Sequence, residues 1–313
     1  MAQEKFITFP KPELRQPNVW NRLARTLVIG VLNTLPVAPT EVFDIDYSLV
    51  QASDLLSAGY KLWVLGTHFS KREGPELAVR PVQYIPGLLS QPIVLPISLH
   101  QYFENQRSID LLSGITAVTV APVVNADVME DGNRQRVEEI LGRSPENLEG
   151  VRHYARLVKK VTDKGGIPSL APQAGRRTSL ELHQADAKAI EVLMALNQIR
   201  EDDKLAFLFM SMIPSGEVDF GKIYQKYNLG MVYKIVFLTL KLAKMYDLLA
   251  KMNLELTQNP IEPGKFQITL DELALIILSL PIDSDYNKIN PGYAALLTSL
   301  EGVGSLKAMT EVR

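Results

Sequence analysis

Cysteine is absent from all 313 residues. That removes disulfides, thiolate zinc sites, iron–sulfur ligation and cysteine nucleophiles together. Chemistry in this chain falls to histidine, carboxylates, hydroxyls, lysine or arginine. An excess of one charge is also absent, since 33 Lys+Arg stand against 35 Asp+Glu for a formal net charge of −2. Bulk charge therefore argues against a polybasic nucleic-acid scaffold, and no nucleic-acid partner is expected. No apolar run approaches the ~20 residues that span a bilayer. The most apolar early stretch, Leu27 to Pro39, is broken by Asn33, Thr34 and Pro36. The first fifteen residues carry Glu4, Lys5, Lys11, Glu13 and Arg15 beside Pro10 and Pro12. No secretory-type apolar core follows them, so a cytoplasmic chain is expected, with peripheral membrane contact left open.

Several motifs are missing as well. There is no G-x-S-x-G elbow of an ordinary hydrolase and no G-x4-G-K-[ST] phosphate loop. Gly302-Val303-Gly304-Ser305 begins like a dinucleotide fingerprint and fails at its third glycine. His100, His153 and His183 are far apart and lack metal-ligand spacing. Asp44, Asp46, Asp127, Glu130 and Asp131 offer carboxylates without a metal loop, so no metal is expected.

What is present is ordinary globular composition, 46% apolar and 22% charged, long enough to bury a sizeable core. Residues 1–41 read as an arm and a short amphipathic helix. Leu23, Leu27, Val31 and Leu35 recur at helical spacing from Trp20, with Arg22 and Arg25 off that stripe. The stripe is expected to pack on the domain, and lying on lipid is the alternative. From 42 to 215 strand patterns alternate with helical ones. The strand candidates are Val42 to Tyr47, Lys61 to Gly66, Pro92 to Leu99, Ala117 to Val124, Ile167 to Ala171 and Leu205 to Ile213. Helical patterns lie at 75–80, 133–164 and 180–198. The predicted fold is α/β, with a mainly parallel or mixed central sheet flanked by helices and helical additions at both termini.

Residues 216–313 are expected to be a helical extension packed on the core. Met231 to Met252 is densely apolar, without Pro or Gly. On a helical wheel Lys234, Lys241, Lys244 and Lys251 share an arc of about 100°. The stretch reads as a helix with one basic face, either solvated or set on anionic lipid.

Two local patterns carry chemistry. The first is Gly66-Thr67-His68-Phe69-Ser70-Lys71-Arg72-Glu73-Gly74-Pro75, directly after a strand. If a helix starts between His68 and Glu73, the acid can turn back and bond one imidazole nitrogen, leaving the other to take a proton from a hydroxyl. The second runs from Lys164-Gly165-Gly166 through a short strand to Ala171-Pro172-Gln173-Ala174-Gly175-Arg176-Arg177. Small residues let the backbone approach a ligand, and arginines at such a turn suit phosphate. Residues 151–180 hold seven basic side chains against one acid, Asp163, which suggests an anionic ligand or surface.

The order and spacing of these pieces resemble the glycerolipid acyltransferase superfamily, which carries N-H-x4-D after a strand and P-E-G-T-R further on. Its soluble glycerol-3-phosphate members have an A-P-S-G-G-R form of the second block. Thr67-His68 and Glu73 lie where the family has Asn-His and Asp, and Ala171-Pro172-Gln173-Ala174-Gly175-Arg176 reads close to the soluble variant. The likeness covers about residues 40–215, including a Gly-Ile strand at 114–120 and a strand ending in Ile213-Pro214. It implies transfer of a fatty acyl group from acyl-CoA or acyl carrier protein to glycerol phosphate or a lysophospholipid. It further implies His68 as base, Glu73 as its orienting acid, and Arg176 on the acceptor phosphate. Arg177, Lys71 and Arg72 are further phosphate candidates, and no cofactor beyond the acyl donor is implied. Glu73 and Thr67 depart from the family's Asp and Asn, and Gln173 stands where the membrane-type members have Glu. The alternatives are a catalytically degenerate homologue that binds lipid or acyl ligands, and an unrelated α/β protein holding a phosphorylated ligand at the arginine pair.

Overall fold

The computed structural model describes residues 9–34, 41–44, 47–66, 73–124, 131–146, 149–170, 184–200, 202–214, 233–242 and 307–308. Its helices are α1 (Val19–Thr34), α2 (Ser48–Ser57), α3 (Glu73–Tyr84), α4 (Leu99–Glu104), α5 (Gln106–Thr116), α6 (Asp131–Leu141), α7 (Val151–Asp163) and α8 (Gln184–Leu196). Its strands are β1 (Glu41–Asp44), β2 (Lys61–Gly66), β3 (Ile93–Ser98), β4 (Val118–Val123), β5 (Ile167–Leu170), β6 (Leu205–Pro214), β7 (Tyr233–Lys241) and β8 (Lys307–Ala308). The strands form one mixed sheet in the order β4-β3-β5-β2-β6-β7-β1-β8. From β4 to β6 all neighbours are parallel. Strand β7 turns antiparallel to β6, and β1 runs with β7. The expected α/β architecture is what the chain adopts.

Central strands are apolar on both faces because helices cover both. In β2 every residue after Lys61 is buried, and in β6 Leu205 to Met210 are all buried. Neighbouring side chains of β2 point to opposite layers. The indole nitrogen of Trp63 donates to Thr162 Oγ1 of α7 at 3.0 Å. A side chain at Gly66, three residues along and so on the other face, would run into Leu77 of α3. Helix α3 therefore lies on one face and α7 on the other, with α8 packed beside α7. The core on the α3 side gathers Leu62, Val64, Leu77, Ala78, Leu208 and Phe237 among others.

Helix α7 is the clearest amphipathic element. Tyr154, Leu157, Val158 and Val161 are buried, while Arg152, Arg156, Lys159 and Lys160 are exposed. Left-handed glycines stand at both ends, Gly150 at φ 82° and Gly165 at φ 70°. A Cβ on Gly150 would come within 2.6 Å of the Pro122 carbonyl and the Phe9 ring. That close approach seats the N-terminal arm, with Phe9 packed on Leu99, Val124, Val137 and Leu141.

Four expectations are corrected. Residues 133–164 form two helices, α6 and α7, because Gly142 (φ 65°) ends the first. The Gly-Ile pair at 114–115 closes α5, and β4 begins at Val118. The strand expected over Val42 to Tyr47 is Glu41–Asp44 and does not include Tyr47, which is left-handed (φ 56°) at the start of α2; Asp44 is buried, its carboxylate accepting the Leu49 amide at 2.9 Å. Most consequentially, the stretch expected as a basic helix over Met231 to Met252 supplies strand β7. Ile235, Phe237, Leu238 and Leu240 are all buried, so both faces are apolar and the run carries no period that separates strand from helix. Lys234 and Lys241 sit in that strand, whereas Lys244 and Lys251 lie outside the described residues.

Helix α1 forms as expected, but its orientation is reversed. Leu23, Leu27 and Val31 face solvent at 52%, 70% and 57% exposure, and Arg25 is fully buried. Leu35 lies outside the described residues. Arg25 is followed by Val28, Ile29 and Leu32, a second stripe at i+3, i+4 and i+7 that packs on the core.

Candidate functional site

Strands β2 and β5 are hydrogen-bonded neighbours, with Val64 opposite Ser169 and Leu65 opposite Leu170. Their chains continue to opposite layers, β2 into α3 and β5 into α8. Segments that diverge in this way leave a crevice outside the carboxyl ends of the strands, the usual ligand position in α/β sheets. The same divergence holds between β5 and β3, which leads into α4 and α5. The end of β5 thus lies at the middle of the crevice. The two sequence blocks, 67–75 and 171–177, follow Gly66 and Leu170, which end these adjacent strands.

The framework beneath this edge is tightly held. Ser169 Oγ donates to the Leu77 carbonyl at 3.2 Å, and the Tyr154 hydroxyl donates to the Ser169 carbonyl at 3.1 Å. Strand β5 is thereby pinned between α3 and α7. Burial pushes the Tyr154 phenol well above its ordinary range, so it stays a neutral donor. Trp63 and Phe207 meet edge to face at 5.8 Å on the α7 side. At Gly66 a Cβ would lie 2.8 Å from the Met210 carbonyl as well as against Leu77, so only glycine lets α3 and β6 close on the end of β2. Sequence reasoning placed Gly66 at the strand end without assigning it a packing role, although a glycine ending an apolar strand is the ordinary signal of close backbone approach.

Glu73 opens α3. That is the local arrangement in which an acid at the first helical position can turn back towards the segment before it. It also places the positive end of the helix dipole at this edge. His68, Lys71, Arg72, Arg176 and Arg177 lie outside the described residues, as does the side chain of Glu73. On the other side of β5, Ser98 ends β3 with a buried hydroxyl that has no hydrogen-bond partner among the described residues. No signal in the sequence marked it.

No protein-family model matches the chain, and no curated protein matches it.

The basic surplus over 151–180 is divided by the fold. Helix α7 runs back along the sheet into β5, so Arg152 lies towards the carboxyl edge while Lys159, Lys160 and Lys164 lie towards the amino edge. There Asp163 is 3.0 Å from Lys61 and 3.7 Å from Lys159. Those lysines are a solvated face remote from the crevice. His153 donates through Nε2 to the Pro12 carbonyl at 2.9 Å and so fastens the arm. His100 belongs to α4, and His183 lies outside the described residues. Among the described residues, no group of three or more His, Asp or Glu could hold a metal ion.

Proposed function

We propose that this chain is an acyltransferase. It moves a fatty acyl group from a thioester, acyl-CoA or acyl carrier protein, to a hydroxyl of glycerol phosphate or a lysophospholipid. The observation that carries the reading is the adjacency of β2 and β5 in register, with their crossovers on opposite faces. That topology supports bringing a His-Glu block and an arginine block to one crevice.

In this reading His68 takes the proton from the acceptor hydroxyl while its oxygen attacks the thioester carbonyl. The carbon–oxygen bond forms, the carbon–sulfur bond breaks, and the proton passes to the departing thiolate. Glu73 orients the imidazole and stabilises its cationic form. Arg176 binds the acceptor phosphate, with Arg177, Lys71 and Arg72 as further cations around it. No enzyme-bound acyl intermediate is required, because the thioester is already activated. Position matters more than the identity of the acid: a misplacement of about an ångström costs on the order of a hundredfold in rate.

The test is thioester consumption by the purified chain over a panel of glycerol phosphate and lysophospholipid acceptors, beside His68→Ala. Transfer that falls at least a hundredfold in a variant with unchanged circular dichroism supports the assignment. Wild-type transfer by His68→Ala refutes it. Saturable acyl-ligand binding without turnover would instead establish the degenerate, lipid-binding reading.

A further inference from the structure

Helix α1 is apolar on two sides, and among the described residues only one is packed against the body. Arg25, Val28, Ile29 and Leu32 occupy an arc of about 100° that faces the body. Val19, Trp20, Leu23, Leu27 and Val31 occupy a separate arc of about 120° and are 52–77% exposed. The helix cannot roll to bury the second arc. Arg25 is held inside by the carbonyls of Leu89, Gln91 and Thr116, at 2.7–2.9 Å. Asn21 Nδ2 donates to the Gly114 and Ile115 carbonyls of α5 at 3.0 and 2.7 Å, and Asn33 accepts from Arg80 of α3. At the Asn21 joint the ridge is continued by Leu111 and Ile115 of α5, 63% and 43% exposed. Isolated exposed apolar residues need no explanation, but an aligned, contiguous set marks an interaction surface.

We propose that this α1–α5 ridge docks the protein on an anionic lipid bilayer. Near its start the ridge carries Trp20, 77% exposed, a side chain that suits the boundary between headgroups and acyl chains. Charge favours an anionic lipid: α1 contains no acid and one arginine that is not buried, Arg22, and Arg15 just before the helix is exposed, with Glu13 an exposed acid of the arm. Basic side chains beside an apolar helical face add attraction to anionic headgroups. Among the described residues no helix is long and apolar enough to cross a membrane, and α1, at 16 residues, lies on the surface. The contacts of α1 fall on the carboxyl-terminal halves of α3 and α5 and on the segment before β3, towards the amino edge of the sheet. The crevice is at the opposite edge. The ridge is therefore a tether separate from the site, and it does not rest on the acyltransfer reading.

The full chain is sedimented with phosphatidylcholine vesicles, with and without one-third phosphatidylglycerol, in the absence of any acyl donor. Wild type should partition onto the mixed vesicles, less so at high salt, with a blue shift of Trp20 emission read in a Trp63→Phe background. Trp20→Ser combined with Leu27→Ser, both on exposed positions, should weaken binding at least tenfold with unchanged circular dichroism. Equal partition of wild type and the double variant overturns the proposal, as does wild type that binds no vesicle. A concentration-dependent dimer abolished by the same variant also overturns it and assigns the ridge to a second copy. Because no substrate is present, none of these outcomes bears on acyl transfer.

Discussion

Replacing Arg25 with Met tests what orients α1. The guanidinium is fully buried and donates to carbonyls of Leu89, Gln91 and Thr116 at 2.7–2.9 Å, with a longer contact to Ala117 at 3.4 Å. No carboxylate pairs with it among the described residues, and burial lowers its pKa to about 10. That drop is a desolvation penalty of about 3 kcal/mol. Three good bonds from a charged donor return about 1.5 kcal/mol each at the modest end, so the residue is close to neutral in net terms. Removing it is not neutral. Methionine fills much of the space but leaves buried carbonyls without donors, at about 1–3 kcal/mol for each that water cannot reach. An expected loss of about 3 kcal/mol corresponds to roughly a hundredfold in the equilibrium that docks α1. Urea unfolding reads the global part, and amide hydrogen exchange along Val19–Thr34 reads detachment of the helix. Arg25→Lys, which keeps one charged donor group, should lose less. Both losses should be flat from pH 6 to 9, because the folded and unfolded chains each remain protonated there. Unchanged stability together with unchanged exchange in α1 would refute the reasoning.

Two further substitutions probe the frame. Gly66→Ala places a methyl 2.8 Å from the Met210 carbonyl, in the backbone of β6. It should cost about 1–3 kcal/mol, whereas Gly87→Ala, with nothing within 4 Å, should be near neutral in the same urea series. Asp44 has its pKa raised mainly by burial, opposed by the Leu49 and Ser48 amides. A raised folded-state value means its contribution is present below the ordinary carboxylate range of about 3.9 and is lost as pH rises through the folded value. Asp44→Asn keeps an acceptor for Leu49 without the charge. Its stability relative to wild type should therefore rise as pH increases from the ordinary carboxylate value of about 3.9, and a pH-independent difference would contradict the assigned cause.

Legibility varied with the kind of signal. The strands Lys61–Gly66, Ile93–Ser98, Ile167–Leu170 and Leu205–Pro214 announced themselves as short apolar runs closed by turn residues. Helix α1 announced itself by spacing. Tyr233–Lys241 did not, because a strand buried on both faces has no alternation to read, and four lysines at helical spacing gave a coherent wrong answer. Within the candidate site, the two motif blocks and their departure from strand ends were visible in one dimension. Their adjacency was not, since β2 and β5 are about a hundred residues apart and hydrogen bonds alone make them neighbours.

The amino-acid order by itself determined the alternation of strand and helix, the positions of the chain breaks at Gly and Pro, and the residue types available for chemistry. These are local matters, settled by side-chain period and backbone freedom within a few residues. Tertiary structure decided which of the two apolar stripes of α1 went inward, which strands pair, and that both lysines of α7 lie away from the crevice. Each of these depends on partners distant in sequence. An arginine can be drawn into the interior only where folding has gathered carbonyls from separate segments, here 89–91 and the end of α5, to receive it.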